Sequence, residues 1–186
     1  MIILPRVFYS RDTVTVAKSL IGKRIIRKID KQEISGIIIE TEAYRHKDDP
    51  ASHAFRKITE RNRVMFGEVG KAYVYFTYGM HYCFNVVARN SKFDAGAVLI
   101  RAISPENGIN TMQKNRGVDS MKNLVNGPAK LTQALGITKE HHGVDLTEDS
   151  ELFIVEGIKI HEKIIVSPRV GIKVAKEKMW NFKISI

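Results

Sequence analysis

Cysteine is almost absent from this 186-residue sequence. Cys83 is the only one, which excludes an internal disulfide and any cysteine-rich zinc module. Long apolar runs are missing too, since none approaches the ~18 residues that a membrane span needs. The opening Met1-Ile2-Ile3-Leu4 meets Pro5 and Arg6 at once, too soon for the apolar core of a signal peptide. Repeats, low-complexity tracts and linkers are lacking, so a single domain over residues 1–186 is expected. The scarce charge is the acidic one. Twenty Asp and Glu stand against thirty Lys and Arg, a formal charge of +10. These absences predict a soluble, cytoplasmic protein away from membranes. The basic excess suits a polyanionic partner, because neutralised phosphates release counterions. A general solubility charge would explain it equally well.

What is present is enough apolar material, 44% of residues, for a sizeable core. Ser10 to Thr13 reads as a helix start, with Val16 and Leu20 on one face and Gly22 as the stop. Ile34 to Tyr44 reads as a strand, and Arg45 to Glu60 as a long, charged loop of the kind that often carries function. The aromatic, β-branched run Tyr73 to Tyr78, the turn at Gly79 and the run Tyr82 to Ala88 predict a hairpin. Ala97 to Ile103 is a further strand. Ser104 and Pro105 have the grammar of an N-cap and first helical residue, predicting a helix through Arg116. Asn126-Gly127-Pro128 repeats that grammar before a short helix, Ala129 to Leu135. Two or three more strands are expected between Leu152 and Ile186. The fold class is thus mixed α/β, of the α+β kind, with a largely antiparallel sheet.

Strand alternation puts Glu40, Glu42 and Tyr44 on one face. Carboxylates at the end of a buried strand are costly unless paired or used. Three readings fit: a metal-dependent nuclease with Asp48 or Asp49 as a third ligand, a hydrolase using one acid as general base, or solvated acids at a strand end. Thr59, Arg61 and Arg63 lie in a basic stretch suited to phosphate contacts, although such runs are usually wet surface. His53 taken singly fits a structural histidine. Tyr78 and Met80 flank the hairpin tip, where large side chains waste burial unless covered. DNA could cover them, as apolar wedges do between base steps, and so could the protein's own core or a second copy. Lys130, in the first turn after Gly127, fits either a phosphate site or a plain capped helix.

In order along the chain, ETEAY (40–44), SHA (52–54), RNRVMF (61–66), YVYFTYGMHYCFNV (73–86), GAVLIRA (96–102), NGPAKLTQALGI (126–137) and PRVGI (168–172) resemble the alkyladenine (3-methyladenine) DNA glycosylase family. The resemblance implies one domain with a curved sheet and a protruding, DNA-inserting hairpin, working without metal or cofactor on duplex DNA that contains damaged purines. It implies that Glu42 is the general base, helped by Arg101 and the Val170 carbonyl in holding water. Tyr44, His53 and Tyr75 would stack around a flipped base, Asn85 would crowd the amino group of normal guanine, and Tyr78 would fill the gap in the duplex beside Met80. The chemistry needs such groups: an aromatic sandwich attracts a cationic alkylated purine, worth ~0.5–2 kcal/mol per contact, and a carboxylate stabilises oxocarbenium character while activating water. Glu42 must then be ionised, which Arg101 would favour. No lysine lies in the ETEAY strand or the tyrosine hairpin. That predicts a monofunctional enzyme using water, with no lyase step.

Two stretches depart from the family pattern. Lys57-Ile58-Thr59-Glu60 lacks the family's glycine and proline, which bears on the DNA path. Val174-Ala175-Lys176-Glu177 lacks the glycine usual before the glutamate, which bears on pocket shape. The rival readings are a nuclease using Glu40, Glu42 and Asp48, and a non-catalytic damaged-DNA or RNA-binding module. A monomer associated with the nucleoid is the expected working form.

Overall fold

The computed structural model describes residues 1–77 and 79–185. Tyr78, for which a wedge role was expected, therefore lies outside the described residues. Eight strands among the described residues form one curled antiparallel sheet: β1 (Arg24–Ile29), β2 (Gln32–Arg45), β3 (Ala72–Thr77), β4 (His81–Val87), β5 (Gly96–Asn107), β6 (Leu152–Val155), β7 (Ile165–Ser167) and β8 (Asn181–Lys183). Strands β3-β4-β5-β2-β1-β6 follow one another across it, and β8 pairs with both β2 and β7. The helices are short: α1 (Arg6–Tyr9), α2 (Thr13–Leu20), α3 (Ile109–Arg116) and α4 (Pro128–Ala134). None among the described residues is long and apolar enough to cross a membrane.

The local reasons follow from the residues. The Asp12 side chain accepts from the backbone N–H groups of Val14 and Thr15, which starts α2 as an N-cap. Val16, Ala17 and Leu20 then bury against the sheet, in a core that includes Ile25, Ile38, Phe84, Val98 and Ile100. A smaller cluster of Ala54, Met65, Tyr73 and Val87 supports the base of the β3–β4 hairpin. Pro128 occupies the first turn of α4, where its missing N–H costs nothing, and Gly127 precedes it.

One expectation fails here. Ser104 and Pro105 do not start a helix but continue β5, opposite Ile37 and Gly36. The ladder shifts register between Ser35 and Gly36, an irregularity that accommodates a proline without an N–H. A Cβ on Gly36 would lie 2.6 Å from the Ser104 carbonyl oxygen, so only glycine allows this approach. The helix starts later, after Gly108 at φ +71°. Strand β1 is a further element that hydrophobic patterning did not single out.

The 14-residue β2 organises the site. Its first half pairs with β1, its second half with β8, and most of its length with β5. Successive pairings put Tyr73, Asn85, Leu99, Glu42, Asn181 and Ser167 in one lateral row across six strands. Residues in such a row point to the same face.

Candidate active site

Glu42 is fully buried and accepts four hydrogen bonds. Its Oε1 takes the Val170 backbone N–H at 2.7 Å and Asn181 Nδ2 at 3.1 Å; its Oε2 takes the Tyr44 hydroxyl at 2.7 Å and Arg101 Nη1 at 3.4 Å. Two oxygens carry about four lone-pair sites, so protein donors occupy them all. The solvated strand-end reading of these acids is therefore wrong for Glu42. Glu40 shares two of the same donors, accepting Arg101 Nε at 3.0 Å and Asn181 Nδ2 at 2.8 Å.

Arg101 reaches both acids from the face that it shares with Leu99, the residue opposite Glu42. Thr41 pairs with Ile100 and Glu40 with Ala102, leaving Arg101 as the extra residue of β5. Burial opposes the Arg101 charge, and the adjacent Glu42 and Glu40 more than offset that, raising its pKa. Two carboxylates thus face one guanidinium, with neutral donors satisfying the rest.

Three of the residues bonded to Glu42, namely Tyr44, Arg101 and Val170, also line a cavity of about 260 Å³. Its other walls come from the hairpin, the loop after β2 and β5, including His53, Tyr73, Tyr75, Cys83, Asn85 and Leu99. The aromatic rings form a compact group. His53 stands edge-on to Tyr75, with centroids 4.7 Å apart, and Tyr73 lies 5.2 Å from Tyr75. His53 Nδ1 and the Tyr73 hydroxyl share a hydrogen bond of 2.9 Å. Partial burial, helped by nearby Arg61, holds the His53 pKa below the ordinary histidine value. Burial also pushes the Tyr73 phenol up to about 12 and raises Tyr75 and Tyr44 further. Each of these shifts favours the uncharged form of its ring. Asn85 is buried and donates Nδ2 to the Tyr73 carbonyl at 2.9 Å.

A family model described as methylpurine-DNA glycosylase (MPG) matches residues 7–185. The chain belongs to the methylpurine-DNA glycosylase family. Its relatives include proteins that carry the provisional name 3-methyladenine DNA glycosylase. The one from Carboxydothermus hydrogenoformans is 49% identical over 181 residues, covering 97% of this chain and 94% of its own length. Those from Prosthecochloris aestuarii and Methanoculleus marisnigri are 46% and 45% identical, over 97% and 96% of this chain and 86% and 93% of their own. The protein is a DNA glycosylase, a hydrolase of DNA repair.

The remaining candidate residues of the glycosylase lie outside the lining of the cavity. Arg61 is exposed, places its guanidinium 4.9 Å from the centre of the Tyr75 ring, and donates to the Phe76 carbonyl. Thr59 and Arg63 are exposed, and Met80 is 68% exposed at the hairpin tip. Lys130 bonds Asn126 Oδ1 at 2.9 Å, beside Pro128, which lines the cavity. The loop without the family's glycine and proline is tied by Asn62. This buried side chain donates to the carbonyls of His53 and Lys57 and accepts from the Thr59 N–H. The nuclease alternative loses its third carboxylate, since Asp48 turns to Arg45 through two hydrogen bonds.

Sequence reasoning passed over three residues of the glycosylase's site. Asn181 lies in a terminal strand with no motif of its own, and only the register of β8 against Glu42 brings it in. Asp49 appeared only as a conceivable metal ligand, and Arg169 stood inside the PRVGI string without being singled out. The only signal for that pair was their opposite charge.

Proposed function

We propose that this glycosylase excises alkylated or deaminated purines, of the 3-methyladenine, 7-methylguanine and hypoxanthine type, from duplex DNA, with Glu42 activating the attacking water. The observation that carries the reading is Glu42 itself, buried and held by four donors, three of them from the wall of a cavity lined by aromatic rings. A carboxylate only accepts hydrogen bonds, and here it meets only donors. The names of the relatives, which specify 3-methyladenine, support the choice of alkylated purines.

The flipped base stacks among Tyr44, His53 and Tyr75. Their electron-rich faces attract a base that carries a positive charge, beside the Arg61 and Arg169 guanidinium groups that already lie against Tyr75 and Tyr44. Asn85 limits the space for an extra exocyclic amino group. The water enters against Glu42 Oε2, where the Arg101 bond is the longest of the four and the easiest to replace. The water oxygen forms its bond to C1′ as the N-glycosidic bond breaks. The bonding pair leaves with the base, and the water proton passes to Glu42. A cationic base departs neutral, whereas a neutral lesion needs a proton or hydrogen bonds, making neutral lesions the slower substrates. The products are a free base and an abasic sugar. With no amine at the centre, the strand stays intact.

A monomer is the proposed working unit. The charge of +10 supports association with DNA through phosphate contacts, and hence a place on the nucleoid in the cytoplasm.

The test is release of free base from methylated duplex DNA in the presence of a chelator, with wild type beside Glu42→Gln. Free methylated purine from wild type, reduced at least ~100-fold in the variant, is the expected result. Release that survives the substitution would move the base function elsewhere, Glu40 first. Damage-selective binding without any release would favour a binding module.

A further inference from the structure

The most completely buried ion pair near the site does not touch the cavity. Arg169 grips Asp49 through two parallel hydrogen bonds of 2.6 Å each, and both side chains are 0% exposed. The same guanidinium donates to the Ala43 carbonyl at 2.9 Å. It lies 4.6 Å from the centre of the Tyr44 ring and 5.2 Å from that of Trp180. Asp49 in turn accepts the backbone N–H groups of Arg45 and Ala51. So large a desolvation is offset by the two-point geometry and these further bonds, although the buried Arg169 Nε has no partner among the described residues. The next residue along, Val170, is exposed in its side chain, yet its backbone N–H makes the 2.7 Å bond to Glu42.

We propose that the Asp49–Arg169 pair is a positioning element of the glycosylase: it clamps the Pro168–Ile172 segment onto the end of β2, and so sets both the Val170 amide on Glu42 and the plane of the Tyr44 ring. This rests on the reading of Glu42 as the base. The logic is spatial. Val170 and Gly171 belong to a segment outside regular structure, where Gly171 has φ +76°. A loop amide can aim at a buried carboxylate only if something rigid fixes the loop, and the fork of Arg169 is that fixture. Arg169 also holds the backbone at Ala43, the residue between Glu42 and Tyr44. One guanidinium therefore touches both sides of the arrangement it serves. Lysine could supply the charge but not the two parallel bonds or the planar contact with Tyr44.

The consequence is specific to the substrate. A cationic lesion such as 7-methylguanine leaves largely by its own charge, whereas hypoxanthine depends on well-aimed water and base. Loosening the clamp should therefore penalise neutral lesions more.

The experiment compares wild type, Arg169→Lys and the charge-free double variant Asp49→Asn/Arg169→Gln. Single-turnover rates at saturating enzyme are measured on duplexes carrying hypoxanthine or 7-methylguanine, alongside affinity for undamaged duplex. Circular dichroism establishes that each protein is folded at the assay temperature. The expected result for Arg169→Lys is unchanged duplex affinity, a loss of roughly 10- to 100-fold on hypoxanthine, and a clearly smaller loss on 7-methylguanine. The double variant, which leaves no unpaired buried charge, should fold and show the same unequal loss. Equal losses on both lesions, or a loss that follows the unfolded fraction, would reduce the pair to a structural salt bridge and overturn the proposal. Full activity of a folded Arg169→Lys would overturn it as well. Failure of the functional reading is distinguishable, because wild type would then release no base.

Discussion

The Tyr44 hydroxyl donates to Glu42 Oε2 at 2.7 Å, across two residues of one strand. Alternation along β2 brings the two side chains to the same face, and Arg169 backs the ring from the other side. Tyr44 thus supplies a face to the cavity and a proton donor to the acid behind it. Replacing tyrosine by phenylalanine separates those functions.

Tyr44→Phe is expected to keep lesion affinity and lose about tenfold in single-turnover rate. A hydrogen bond to a charged group contributes about 1.5 kcal/mol, close to one decade in rate. The measurement is the rate at saturating enzyme beside the half-saturation point for an alkylated duplex. A loss of affinity with unchanged rate would show that the hydroxyl serves the stack rather than the acid.

Asn181 gives a second prediction about the same carboxylates. Its Nδ2 bridges Glu40 and Glu42, while its Oδ1 accepts from Ser167 at 3.2 Å. Asn181→Ala should slow excision by about tenfold with little change in DNA affinity. Asn181→Asp should do worse, by roughly 100-fold, because a third carboxylate would face the single Arg101. The ordering of the two variants in the same assay is the check. Equal losses would mean that the residue only fills space.

Much of this site was legible before any coordinates, and the remainder has a physical reason for being hidden. Period-two alternation around Glu40, Glu42 and Tyr44 is local, and so is the β-branched, aromatic run that builds the hairpin. The sheet and its antiparallel character follow from such runs. Arg101 is different. Alternation puts it on the face of Leu99, but only the long-range pairing of Leu99 with Glu42 brings that face to the acids. Asn181 depends on a long-range register, and the Asp49–Arg169 contact joins residues 120 positions apart. The misplaced start of α3 has a local cause. Ser-Pro suits an N-cap, but pairing with Ile37 and Gly36 kept both residues in the sheet, an override of local preference by tertiary contacts.

A third prediction concerns stability and pH, away from the cavity. Asp145 receives Arg6 Nη2 at 2.5 Å, Lys71 Nζ at 2.9 Å, and both the hydroxyl and N–H of Thr147. Burial works against its charge, but these bonds outweigh it and hold the carboxyl well below its usual range. A carboxyl whose folded pKa lies below the unfolded value, about 3.9, contributes stability above that value and loses it as pH falls through the folded pKa. Asp145→Asn should therefore lower Tm at pH 7 by roughly 2–6 °C, corresponding to about 1–2 kcal/mol. The gap between variant and wild type should narrow below about pH 4. Thermal melts at pH 7, 5 and 3 test this, and a gap independent of pH would assign the loss to packing.

The last prediction concerns the hairpin. Tyr78 itself lies outside the described residues, but its neighbours in sequence bear on its role. Phe76 is 49% exposed on β3, Met80 is 68% exposed beyond the turn, and Gly79 has φ +68° with open space around it. A tip that presents apolar groups to solvent suits insertion into a base stack. Extrusion of a paired base costs a few kcal/mol, and a wedge offsets part of that by stacking in the vacated space. Single-stranded substrate has no such gap to fill. Tyr78→Ala should therefore reduce single-turnover excision on duplex DNA by about tenfold more than on a single strand of the same sequence, consistent with ~1.4 kcal/mol of stacking. The chemical step, once the base is in the cavity, should be unchanged. Equal losses on both substrates would remove the wedge role of Tyr78.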